Sequence, residues 1–253
     1  MKAKSKVFVL LTVAAVAIVV AFLLPPIPQD PQYHEFADGR SLFGIPNFWN
    51  VATNLLFVLV GVIGLKACIP RVPQGGLQAL RDNYLVFFVG VILIGFGSGY
   101  YHAAPSTFTL LWDRLPMTLS FIALFTIVIG ENVSMTYGRR LLLPLLIIAA
   151  GSVLYWYITE LRGEGDLRPY GLIQFLPMVL IPLILLWFAS RFSHVGYLWA
   201  ILISYGFAKL AEHFDAAILG LSGLLSGHSV KHLLAGLATF WLFMALKTRR
   251  KIS

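Results

Sequence analysis

The chain has 253 residues, of which 58% are hydrophobic and 12% charged, with a mean hydropathy of +0.82 and a formal net charge of +8. Soluble domains run nearer about 45–50% apolar and about 25% charged, so the composition excludes an ordinary soluble fold and indicates one polytopic membrane domain. The single cysteine, Cys68, excludes an internal disulfide framework and any multi-cysteine metal site, and the positive charge sits mostly in loops and tails, where membrane topology explains it better than a nucleic-acid partner does.

Eight apolar segments predict membrane-spanning helices, at about residues 7–24, 48–69, 83–104, 115–135, 140–158, 171–189, 197–218 and 227–246. The first follows the basic stretch "MKAKSK" and ends at "LLPPIP" without a small-x-small cleavage site, which predicts an uncleaved signal anchor. The polar stretch from Pro25 to Asn47 is predicted to lie outside the membrane. "IPRVPQGG" (Ile69–Gly76) reads as a turn-rich loop at the opposite side, and "RGEGDLRPYG" (Arg162–Gly171) as a polar outer loop. The expected fold is all-α, a polytopic helix bundle with a seven-helix core plus the N-terminal anchor helix. Its divisions are an anchor and outer loop (1–46), a core domain (47–246) and a basic tail (247–253).

Eight spans put both termini on one side. One set of loops and tails carries Lys2, Lys4, Lys6, Lys66, Arg71, Arg81, Arg139, Arg140, Arg191, Lys247, Arg249, Arg250 and Lys251, and the other only Arg40, Arg114, Arg162 and Arg168. The first side is therefore expected to be cytoplasmic, with both termini on it. Tyr100, Tyr101, Trp112 and "YWY" (Tyr155–Tyr157) then fall at the outer interface.

Topology brings the ionisable groups to one level. Ser98 and His102 share a face at the outer end of the third span, Asp113 begins the fourth, and His228 and His232 share a face in the first turn of the eighth. Two histidines at i and i+4 can bind one metal ion. With His102 they form a three-imidazole set that leaves a fourth position open, as in catalytic zinc sites. Zinc lowers the pKa of bound water to about 7. Asp113 is then placed to accept a proton or orient a ligand, and Ser98 to stabilise an oxyanion. Each residue alone has a plainer reading: an interfacial histidine, a cap for the fourth helix at Asp113, a small packing residue at Ser98. That reading has to hold for all five at one depth.

The ordered set "SGYYH" from Ser98, "WDRLPM" around Asp113 and "HSVKH" from His228, with "PNFWNVATNLLFVLVG" near Asn47, resembles the alkaline ceramidase family, within the wider group of seven-helix membrane hydrolases that includes adiponectin-receptor relatives. The similarity covers roughly residues 47–246. It implies that His102, His228 and His232 hold zinc, that Ser98 and Asp113 assist, and that the reaction is hydrolysis of a lipid amide, ceramide or phytoceramide-like, to a fatty acid and an amine. Eukaryotic members carry an Asp-Trp-x-Glu calcium segment, whereas "QDPQYHEFADGRS" lacks that tryptophan. Asp30, Glu35 and Asp38 remain, and Ca2+ is a doubtful cofactor.

The expected activity is thus a zinc-dependent intramembrane amidase acting on linear amides of N-acylated lipids, with a lipid as its partner and no obligate protein partner. The competing readings are a metal-free serine hydrolase using Ser98, a lipid-sensing receptor with structural zinc, and a transporter. The transporter would need ionisable groups on both sides of the midplane. Lys209 and Glu212 are expected to pair, Lys231 to snorkel outward or meet a headgroup, and His213 to be structural or to support a ligand. Glu131 and Glu160 are expected to be structural, Cys68 buried, and His34 and His194 solvated.

Overall fold

A backbone crossing hydrocarbon must satisfy its polar groups internally, and this chain does so with helix throughout. The computed structural model describes residues 2–252, so Met1 and Ser253 lie outside the described residues. In chain order the helices are α1 (Ala3–Leu23), α2 (Phe48–Ala52), α3 (Leu55–Cys68), α4 (Arg81–Ala103), α5 (Thr107–Val128), α6 (Met135–Leu161), α7 (Arg168–Trp187), α8 (Gly196–His213), α9 (Asp215–Ser222) and α10 (Gly227–Thr248). A π turn, Ile129–Val133, extends α5. Among the described residues, seven helical spans are long and apolar enough to cross a membrane, with α2 and α3 acting as one span. This is a multi-pass helical membrane protein.

The seventh expected span departs from its predicted course. α8 stops at His213, and the chain turns at Phe214 (φ −97°, ψ 31°) into the short α9. Lys209, Glu212 and His213 make the last turn of α8 polar, so it falls short of a fully apolar span. The start of α5 also differs. The chain enters helix at Thr107, with the Ser106 hydroxyl accepting from the Thr109 amide at 3.1 Å and the Thr109 hydroxyl accepting from the Ser106 amide at 3.0 Å. Asp113 therefore lies inside the helix and is not its cap, which frees its carboxylate from the donors of a helix N-terminus.

α4 packs between α3 and α5; α10 packs against α8 and α3; α5 continues the bundle to α6 and α7; and α1 lies along α7. Most apolar side chains of α1 stay exposed, Phe8 at 70% and Leu23 at 79%, as suits a helix facing lipid. Two glycines bring the polar ends of the helices together. A Cβ at Gly97 would run into the Trp112 carbonyl of α5, and one at Gly227 into the Ala211 carbonyl of α8. Neither close approach leaves room for a side chain.

Contacts between loops and termini gather at two ends of the bundle. At one end Lys6 donates to the Trp187 carbonyl, Gly75 N donates to Leu246 O at 2.9 Å, and Ser193 N donates to Arg250 O at 2.9 Å. At the other, Leu167 N donates to Ile27 O at 2.8 Å, and Arg114 reaches Gln29 at 2.6 Å. Trp156, expected at the wet interface, is fully buried in a second apolar cluster with Tyr101, Leu110, Leu111, Val153 and Tyr170.

The basic tail is not free at its root. Arg249 is buried, its two terminal nitrogens 2.8 and 3.0 Å from the Glu131 carboxylate, and it also donates to Gly75 O at 2.7 Å. Tyr84 Oη donates to the same carboxylate at 2.6 Å. Removing one partner of a buried ion pair strands the other charge and costs about 3–5 kcal/mol. Arg249→Met is accordingly expected to lower thermal stability in detergent by that amount, and the double variant Glu131→Leu/Arg249→Met to recover most of the loss. A melting curve unchanged in Arg249→Met would contradict this account.

Candidate metal centre

Two helices supply the three imidazoles. His102 comes from the last turn of α4, and His228 and His232 from the first turns of α10. The three ring centroids lie 4.8 to 5.0 Å apart, and one ring nitrogen from each falls within 4.8 Å of the others. All three side chains are buried. The i, i+4 spacing on α10 thus does what the helical repeat requires, and tertiary packing brings His102 to it.

Contacts from a distant part of the chain hold the His232 ring. Thr53 Oγ1 is 3.0 Å from His232 Nδ1, and Asn54 Nδ2 is 3.4 Å from it. This leaves Nε2 of His232 buried without a hydrogen-bond partner, and Nδ1 of His102 is in the same condition. Buried ring nitrogens without partners are costly unless something binds them. The donor set, three neutral-capable imidazoles on separate turns with a hydroxyl behind one of them, fits a divalent transition ion of the zinc class. Asn47, itself in the left-handed region (φ 48°), donates from Nδ2 to the His102 carbonyl at 2.9 Å. Asp215 accepts from the His228 amide at 2.6 Å and so sets the first turn of α10. Ser226 caps that helix, and Ser229 donates to Asn50 Oδ1 at 2.7 Å.

Ser98, Asp113 and His232 line one cavity of about 280 Å³, whose remaining wall is mostly apolar, including Phe57, Phe87, Leu124 and Met178. Ser98 and Asp113 are both largely buried, at 4% and 9% exposure. Every site residue expected from the sequence therefore reaches one neighbourhood: three histidines as a cluster, and the serine and aspartate on the cavity wall beside it.

The surrounding charges are partly as expected. Lys209 pairs with Glu212. Lys231 does not snorkel outward: its ammonium stands 2.9 Å from Glu212 Oε1 and 2.8 Å from His228 Nε2. The reason is that Glu212, on the neighbouring helix, offers it a counter-ion inside. His213 stays exposed against Phe214 and takes no part in the cluster. Glu160 accepts from the Gln29 amide at 3.0 Å, a structural contact.

The segment between α1 and α2 forms a strap across the end of the bundle that holds the cluster. Phe36 packs edge-on against His102 (4.6 Å) and His228 (4.9 Å), and Ala37 N donates to Asp215 at 3.1 Å. His34, expected in solvent, is half-buried with Nδ1 3.0 Å from Tyr101 Oη. Burial, reinforced by the nearby Arg114 charge, lowers its pKa. The acidic residues of the strap do not come together. Asp38 is clamped by Arg40 at 2.7 and 2.8 Å, which holds its carboxyl below the usual range, and Asp30 accepts from Gln32 N at 2.9 Å.

A polytopic helical bundle with a buried three-histidine cluster at the polar end of an apolar cavity defines a membrane protein with a site that could hold a metal ion. The pattern that describes the ceramidase family matches residues 43–252. The chain belongs to that family. A Dictyostelium discoideum protein named "Putative alkaline ceramidase dcd3A" is 26% identical over 127 residues, covering 42% of this chain and 44% of that protein, so the match spans less than half of the relative's length.

Proposed function

We propose that this protein hydrolyses the amide bond of ceramide or a similar N-acylated lipid, using a metal held by His102, His228 and His232. The reading is carried by the pair of buried, unpartnered ring nitrogens in a three-histidine cluster beside an apolar cavity. Family membership supports the substrate class.

The acyl chain lies among Phe57, Phe87, Leu124 and Met178, which excludes water from the cleavage site. Zinc, when bound, supplies Lewis acidity at the amide carbonyl and makes water acidic enough to attack near neutral pH. Asp113 accepts the proton of that water at its carboxylate and passes it to the amine nitrogen as the amide bond breaks. The Ser98 hydroxyl donates to the oxygen that gains negative charge. Thr53 holds His232 in one orientation through Nδ1. By the positive-inside rule, the Lys- and Arg-rich end faces the cytoplasm with both termini, and the cluster faces the outer side.

The test is release of fatty acid and sphingoid base from ceramide by the purified protein. Activity is expected to be lost to a chelator and restored by zinc. Metal-replete protein that turns over no N-acyl lipid would reject the proposal. Ser98→Ala is expected to slow turnover by about 10²-fold, the usual effect of losing one oxyanion donor, with metal content unchanged because Ser98 is not in the donor set. The side-chain contacts of the histidines go to Thr53, Asn54 and Lys231, not to Ser98. No histidine stands against Ser98 as its base, which favours the metal reading over a serine–histidine nucleophile.

A further inference from the structure

Two ion pairs inside the bundle differ in what they face. Arg249 and Glu131 are sealed, with side chains 0% and 1% exposed, and their pairing holds the fold together. Lys231 and Glu212 are paired at 2.9 Å, yet keep 18% and 16% of their side chains exposed, and both line the cavity beside the histidines. Lys231 lies on α10 between His228 and His232, and Glu212 on the last turn of α8, one turn beyond Lys209. Charges that served only to join α8 to α10 would need no face on the cavity.

The hydrogen-bonding capacity of the pair is not used up within the chain. An ammonium has three N–H donors, and a carboxylate has about four acceptor positions. Lys231 spends one donor on Glu212 Oε1 and another on His228 Nε2, 2.8 Å away. Glu212 accepts from Lys231 at Oε1 and from Lys209 at Oε2, and the second contact fixes the direction of the carboxylate. Among the described residues this leaves a donor on Lys231 and an acceptor position on each Glu212 oxygen, side by side on the cavity wall. A hydroxyl is donor and acceptor at once, so a single one can accept from the ammonium and donate to the carboxylate. A neutral hydroxyl uses both charges, whereas an anion uses only the lysines and a cation only the carboxylate.

We infer that Lys231 and Glu212 form the subsite for the hydroxyl groups on the amine half of the substrate, and so select N-acylated amino alcohols over plain N-alkyl amides. Assigning those hydroxyls to the amine half rests on the hydrolase reading; the hydroxyl subsite itself does not. The spacing fits. Lys231 Nζ is one hydrogen bond from His228, so the subsite begins directly beside the cluster. In a 2-amino alcohol the hydroxyl sits on the carbon next to the one that bears the amide nitrogen. With the amide carbonyl at the cluster, that hydroxyl falls beside the ammonium and the carboxylate, and the apolar wall is left for the chains. Hydrogen bonds to charged groups in a water-poor site are stronger than neutral ones, which makes this pair the determinant of the amine half.

The test is displacement of a fluorescent N-alkyl fatty amide, a probe without hydroxyls, from the full-length protein in detergent. N-palmitoyl sphinganine is compared with the same amide lacking its hydroxyls. The hydroxyl-bearing lipid is expected to compete about 10- to 100-fold more strongly, the scale of one hydrogen bond to a charged group. That advantage is expected to vanish in Glu212→Leu/Lys231→Met, which removes the pair as a unit instead of stranding one charge. A purely structural role would weaken both competitors alike and leave their ratio unchanged. No advantage in the wild-type protein, or one that persists in the double variant, would overturn the inference. Glu212→Gln, which keeps the size of the side chain and one acceptor oxygen, is expected to lose part of the advantage, and it serves where the double variant fails to fold. Because the assay reads binding, protein that hydrolyses no lipid would still give the ratio; that outcome would reject the hydrolase reading and leave the subsite standing.

Discussion

His232→Ala is expected to remove both the metal and the activity. Its Nε2 is a buried nitrogen without a partner, and its Nδ1 is already committed to Thr53 at 3.0 Å. A three-imidazole set reduced to two loses a full ligand and the geometry that kept one position open. Metal-assisted hydrolysis depends on that ion for several kcal/mol of charge stabilisation, so turnover is expected to fall by at least about 10³-fold. Elemental analysis of the purified variant is expected to find little metal. Thr53→Val offers a graded companion: loss of a group that orients a ligand from behind typically costs about 10–100-fold in metal affinity or activity. Full activity in His232→Ala would remove the basis of the proposed mechanism.

The second large effect is expected at Asp113. The carboxylate sits inside α5 on the cavity wall with Ser98, and it is not spent on capping the helix because Ser106 does that. Asp113→Asn keeps the shape and removes the proton acceptor. General acid–base groups contribute about 10²–10⁴-fold, and a loss of turnover in that range is expected with metal content retained. The two variants thus differ in a measurable way, since one loses the ion and the other keeps it. Loss of metal in Asp113→Asn would make the aspartate a support for the ligands and not a proton carrier.

The helical period made much of this centre readable in advance. His228 and His232 are one turn apart, so any helix through them puts both rings on one face. Counting spans then carried Ser98, His102 and Asp113 to the same end. What stayed hidden depends on contacts between distant parts of the chain. Nothing local to Thr53 or Asn54 announces that they stand behind His232, and nothing local to Asp215 shows that it anchors the amide of His228. Lys231 looked like a snorkelling lysine because its counter-ion lies on another helix. The seventh span was read too long because apolar residues resume beyond Phe214, although Lys209, Glu212 and His213 already mark where α8 turns polar. Asp113 followed by Pro116 resembles a helix start, which is what gives Asp113 its plainer reading as a cap. The pair that sets the start, Ser106 with Thr109, uses a threonine where a glutamate is the more familiar partner.

The pairing of Arg249 with Glu131 has a practical corollary. The residues that follow α10 fasten the bundle at the extremity farthest along the chain from His102 of α4, and they do so through a guanidinium enclosed by Gly75, Phe192 and Glu131. Affinity tags fused directly after this point, or truncations reaching back to it, would loosen a fastening that takes no part in lining the cavity beside the histidines. An inactive protein obtained that way would therefore report on assembly, and only trimming that spares Arg249 can be interpreted in terms of catalysis.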